Sequence, residues 1–171
     1  MWSGDLATPQ ARRRATLLPG GDTMTDADDA PADVIPPGRF LYAPDPAVVR
    51  AHLVGGVARL AHGGLLDATT AYVTSDTQVR TPFARAFEIT DAMPFSFKRL
   101  RKTLRERGVG SVTIMKRGSA VNVEQLRREL QLKGSQHAVV VLALVNGRHD
   151  VLIAQPVSSR ECGREQGVKQ G

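Results

Sequence analysis

Hydrophobic and polar residues recur along this chain in three rhythms, and each rhythm predicts a different kind of element. Phe83, Arg85, Phe87 and Ile89 alternate with Ala84, Ala86 and Glu88, the period-two pattern of a strand. Helical spacing appears three times. Val49, Leu53, Gly56, Val57 and Leu60 share a face behind Asp45 as cap and Pro46 at the first position, and Gly63-Gly64 ends the run. Phe97, Leu100 and Leu104 form a second stripe, stopped by Gly108 and Gly110. Val123, Leu126 and Leu130 form a third, with Asn122 as cap, Gln125 three residues later and Lys133-Gly134 as its end. The third rhythm is an unbroken apolar run from Val139 to Val145, which turns at Asn146-Gly147 and returns through Asp150 to Ala154, predicting an antiparallel hairpin.

Leu65 to Asp67 reads as a short connection, Ala71 to Thr74 as an edge strand and Ser111 to Lys116 as a further strand. The order from Arg39 onward is helix, short strand, strand, helix, strand, helix, hairpin. This predicts an α+β domain, a mixed sheet with about three helices packed on one face and a C-terminal β-hairpin.

The flanks follow none of these rhythms. Residues 1–38 are expected to be an irregular arm whose Asp22, Asp26, Asp28, Asp29 and Asp33 resist burial. Its apolar exceptions are Trp2, Leu6, Leu17 and Leu18, with at most Ala15 to Leu18 pinned as a short strand and Gly20 to Pro36 mobile. The domain is expected to occupy residues 39–157, and the polar residues 158–171 to be a disordered tail.

Charge changes this picture at one place. From Ser96 to Arg117 eight Lys or Arg face the single acid Glu106, so the segment carries 8 − 1 = +7, whereas the whole chain carries +6 with a pI near 10.1. On the second helix Lys98, Arg101, Lys102 and Arg105 occupy a stripe about 100° wide, apart from the apolar face. Lys116 and Arg117 follow at a strand end. Such a stripe keeps a helix soluble or tracks a phosphate backbone. With only eight aromatic residues in the chain, recognition of folded RNA by shape and phosphate suits it better than base stacking.

Other chemistry is sparse. No Gly-rich loop joins a strand to a helix, and His52, His62, His137 and His149 share no metal-ligand spacing with acids or with Cys162. His52 reads as a helix-edge or core histidine because no acid or nucleophile accompanies it. A lone cysteine argues against disulfides and suits a reducing cytosol. No apolar run reaches membrane-spanning length, so the chain is expected to be soluble, cytoplasmic and free of membrane contact.

Taken together, Arg39-Phe40-Leu41-Tyr42-Ala43-Pro44-Asp45-Pro46, Pro82-Phe83-Ala84-Arg85-Ala86-Phe87, Pro94-Phe95, Lys98-Arg99-Leu100 and Lys116-Arg117-Gly118 resemble the C-terminal THUMP-like domain of actinobacterial class I S-adenosylmethionine-dependent methyltransferases, over roughly Arg39 to Pro156. Arg12-Arg13-Arg14-Ala15-Thr16-Leu17-Leu18-Pro19 resembles the end of the methyltransferase domain running into its linker. The resemblance implies an RNA-binding accessory domain, with Lys98, Arg101, Lys102, Arg105, Lys116 and Arg117 toward structured RNA such as tRNA or rRNA. It also implies that S-adenosylmethionine belongs to the full-length family, and that a separate methyltransferase domain is a possible partner. Because only about 38 residues precede the domain, the chain is not expected to bind the cofactor or catalyse alone. A misplaced start, a truncated gene and a domain acting in trans all remain open. So does the alternative of a non-catalytic protein-interaction or structural module.

Overall fold

The computed structural model describes residues 13–18, 20–117 and 120–157. The expectations for Trp2, Leu6, Gly118, Cys162 and the tail lie outside them. In chain order the elements are β1 (Arg14–Thr16), β2 (Thr23–Thr25), β3 (Phe40–Pro44), α1 (Pro46–Arg50), α2 (Val54–Leu60), β4 (Gly64–Asp67), β5 (Thr70–Ser75), β6 (Ala84–Pro94), α3 (Phe97–Glu106), β7 (Val109–Arg117), α4 (Val123–Leu130), β8 (Gln136–Val145) and β9 (Arg148–Pro156).

Seven strands form one mixed sheet in the order β4-β5-β3-β6-β9-β8-β7, in which only β7 and β8 run parallel among the paired strands. The predicted α+β architecture is present. The β8–β9 hairpin turns where expected, with Asn146 and Gly147 both at positive φ (48° and 80°), as a type I′ turn requires. Asn122 caps α4, its Oδ1 accepting from the Gln125 amide at 3.0 Å.

Two expectations about helices are corrected. The single first helix is two, because the backbone at His52 turns left-handed (φ 55°). The Leu53 amide donates to Val48 O and the His52 amide to Val49 O, the paired bonds of a Schellman stop, while buried Leu53 and Val48 supply its apolar contact. The same motif ends α2, with His62 at φ 54°, Gly63 N donating to Ala58 O and His62 N to Arg59 O. Both histidines are thus helix terminators. At the other correction α4 ends at Gln131 (φ 45°), ahead of the expected Lys133-Gly134.

Strand register sorts the core. Tyr42 pairs with Val73 and Ala86, and these side chains face α1 and α2 in a cluster with Phe40, Val48, Leu53 and Val57. A bulge at Thr90, between Ile89 and Asp91, keeps the same face turned toward the other helices, where Met93, Val140, Leu142, Val151 and Ile153 meet Leu100, Leu104, Leu126 and Leu130. All four helices therefore lie on one face. The opposite face is as apolar, with Leu41, Tyr72, Phe87, Val141 and Leu152 each at most 2% exposed, and no helix covers it among the described residues.

That face is buried because the sheet curls until its two ends meet. Asn146 N donates to Leu66 O at 2.9 Å and Gly147 N to Asp67 Oδ2 at 2.6 Å, tying the β8–β9 turn to β4. Arg117, at the end of β7, donates to Ala71 O and to Pro44 O and lies over the Tyr72 ring, 4.8 Å from its centroid.

The arm is more structured than its composition suggests. β1 pairs antiparallel with β2, and Ala15 and Met24 are buried in the α1–α2 cluster, while Leu18 is 86% exposed. The strand expected at Ala15 to Leu18 thus ends at Thr16, and Met24 is the apolar anchor that composition hid. Ile35 N and Leu65 N exchange bonds with Leu65 O and Asp33 O, so the arm lies along the outer edge of β4.

Candidate nucleic-acid interface

α3 forms where Leu100 and Leu104, both fully buried, dock on the sheet, and Gly108 ends it at φ 68°. This inward pull fixes which residues point outward. Lys98, Arg99, Lys102 and Arg105 are exposed and Arg101 is half-buried.

Their partners divide the six expected site residues into three groups. Lys98 has no hydrogen bond or ion pair among the described residues, and Lys102 has only the exposed Glu106 one turn on, at 3.8 Å. A pair this open contributes little and does not immobilise the ammonium. Arg99, which the stripe argument passed over, is as exposed as Lys98 and also has no partner among the described residues. Its place one residue after Lys98 and about one turn before Lys102 was the available signal.

Arg101 and Arg105 lean across to α4. Arg101 Nη2 donates to Gln131 Oε1 at 3.2 Å and Arg105 Nη2 to Gln131 O at 3.3 Å. Two cations therefore meet the carbonyl end of α4, where the helix dipole favours them. Arg101 is committed furthest, since its Nε is buried without a partner among the described residues. The pair fixes how α3 and α4 sit side by side, and Arg105 keeps an exposed flank.

Lys116 donates to Val121 O at 3.0 Å and stays exposed. Arg117 does not join the set. Its guanidinium is spent on Ala71 O, Pro44 O and the Tyr72 ring, so the strand-end cation expected to face phosphate closes the sheet instead. Arg107 is likewise occupied, by Thr90 and Asp91 at the bulge. Neighbouring α4 is closer to neutral: Arg127 pairs with Glu124 at 3.4 Å, and Arg128 donates to the Glu124 carbonyl. The open positive surface is accordingly centred on Lys98, Arg99 and Lys102, flanked by Arg105 and Lys116.

No group of acids, histidines and cysteines that could hold a metal occurs among the described residues, and none of their helices is long and apolar enough to cross a membrane.

Comparison with known proteins shows what the chain around this surface is similar to. Over 147 residues, 85% of this chain, the sequence is 37% identical to an uncharacterized S-adenosylmethionine-dependent methyltransferase of Mycobacterium tuberculosis, in both the CDC 1551 / Oshkosh and H37Rv strains. The match spans about 40% of the length of those relatives. A crystal structure from Porphyromonas gingivalis W83, assigned as a methyltransferase, superposes with a TM-score of 0.65 over 80% of this chain and 35% of its own, at 18% identity, a likeness of fold. The family described as THUMP domain-like matches residues 84–156, from the first residue of β6 to the last of β9. The matched stretch is this half of the sheet, with α3 and α4 upon it, and it is similar to the THUMP domain-like family.

Proposed function

We propose that this chain is the RNA-holding, non-catalytic part of a methyltransferase system, with α3 as the element that meets the RNA. The observation behind this reading is the exposed row Lys98, Arg99 and Lys102, answered by Glu106 alone among their neighbours on the helix. Ammonium and guanidinium groups with no fixed partner can each displace a counterion from a phosphate, whereas groups already bonded gain less. The row carries no device for reading base edges, which suits binding by backbone position and helical shape. Similarity to methyltransferases supplies the reaction with which such a domain would work, and the cofactor site would then belong to a separate catalytic domain.

The bonds to Gln131 decide which variant tests this. Reversing Arg101 and Arg105 would also break their bonds to Gln131, so loss of binding would be ambiguous. Lys98→Glu, Arg99→Glu and Lys102→Glu together leave that contact intact. Wild type is expected to bind structured RNA with an affinity that falls steeply with salt, and the triple variant to lose binding while keeping its thermal transition. Equal affinity in a fluorescence anisotropy titration would overturn the reading. Calorimetry with S-adenosylmethionine and this chain alone is expected to show no saturable heat.

A further inference from the structure

An apolar cavity of about 390 Å³ opens beside the start of α3, within the usual range of small-ligand pockets. Phe95, Val121, Leu142 and His149 line it, and Phe95 is 37% exposed, one of the few large apolar side chains left in solvent. The Phe95 amide donates to His149 O at 3.0 Å, so the aromatic residue and the histidine are held together at one wall. The charged lining residue, Asp150, is 4% exposed, and Arg148 takes both its carboxylate oxygens at 2.7 and 2.9 Å. It therefore presents no bare negative charge. Cations are close by: Lys116 holds the carbonyl of Val121 in the wall, and Lys98 follows Phe95 by three residues in the chain.

An apolar, partly aromatic pocket with cations nearby fits a ligand that is apolar at its centre and anionic beside it, which is the chemistry of a nucleotide within a strand. We propose that this cavity receives an unpaired nucleobase of an RNA whose backbone lies along α3, the base stacking on Phe95 and meeting the His149 ring at its polar edge. This rests on the RNA reading above and adds to it: the surface would prefer RNA with an extruded base over a continuous duplex. Base–aromatic stacking is sequence-tolerant, so the preference would be for an unpaired position more than for one base.

The test compares two RNA hairpins, identical except that a single-nucleotide bulge carries a fluorescent purine analogue in one and an abasic residue in the other, titrated into the full chain. Wild type is expected to bind the base-containing hairpin about tenfold tighter and to change the fluorescence of the analogue. Phe95→Ala should erase the difference, Phe95→Trp should keep it, and both should retain the wild-type thermal transition because the side chain is partly exposed. Equal affinity of wild type for both hairpins overturns the pocket while leaving RNA binding by α3 standing. Failure to bind either hairpin overturns both, as would binding of an Asp-rich, Phe-containing peptide in their place.

Discussion

The two halves of the helical layer cover the same face of one sheet, yet they end in opposite surfaces. Around α1 and α2 the arm forms an additional layer. Arg13 donates to His52 O and pairs with Asp29, and Met24 packs where Gly56 of α2 leaves room. Over α3 no further layer lies among the described residues, and five cations occupy its ten positions. One half has its cover built in, while the other presents charge where a partner could sit. The difference teaches that similar inner faces say little about function, which is decided by what each outer face is left to do.

The largest expected effect tests whether the halves are one unit. Leu104→Ala beneath α3 and Leu53→Ala beneath α1 each remove a fully buried side chain, with an expected loss of about 2–5 kcal/mol. Since β3 and β6 are hydrogen-bonded from Phe40–Glu88 to Pro44–Ala84, both substitutions should lower a single urea midpoint. Two separate transitions would break the picture of a shared sheet.

Next comes the cover itself. A Cβ at Gly55 would lie 2.0 Å from Ala30 O, so Gly55→Ala should displace the arm and cost about 1–3 kcal/mol. Hydrogen exchange should rise across residues 22–33 and stay unchanged across residues 84–156. Exchange already fast in the wild-type arm would mean that the cover is not stably placed.

A smaller effect concerns the closure between the halves. The Thr69 hydroxyl, then the Thr69 and Gly147 amides, hold the Asp67 carboxyl below its ordinary value near 3.8. The native pKa is thus the lower one, so the carboxylate stabilises the fold above the unfolded value and the contribution fades as pH falls through the native one. Asp67→Asn should cost about 1 kcal/mol at neutral pH and flatten the acid limb below about pH 4. An unchanged pH profile would remove Asp67 from the closure.

The smallest effect sharpens the contrast most. Reversing Lys98, Arg99 and Lys102 should move stability by no more than about 0.5 kcal/mol per site, because nothing folded depends on them, while RNA binding disappears. A large stability loss would show that the charge serves the fold.

Legibility in the sequence followed the same division. The β8–β9 hairpin and α4 could be read because Asn146-Gly147 and Asn122 with Gln125 announce themselves locally. β3 could not: all five of its residues are buried, so no alternation marks it. The break between α1 and α2 was hidden because the apolar spacing runs through it unbroken and a histidine stands where glycine would usually signal the turn. At the candidate interface the α3 cations other than Arg99 were readable as a stripe. Its sorting into free and committed cations was not, since the competitors of Arg101, Arg105 and Arg117 are main-chain and side-chain oxygens 26 to 73 residues away.

The bond from Gly147 N to Asp67 joins residues 80 apart in the chain, and its consequence lies in time. Hairpins and βαβ units form from near neighbours, whereas this contact waits until the sheet has been assembled and curled. It should therefore be absent from the transition state for folding. Asp67→Asn is expected to speed unfolding while leaving the refolding rate nearly unchanged, so the closure governs how long the molecule stays folded more than how fast it gets there.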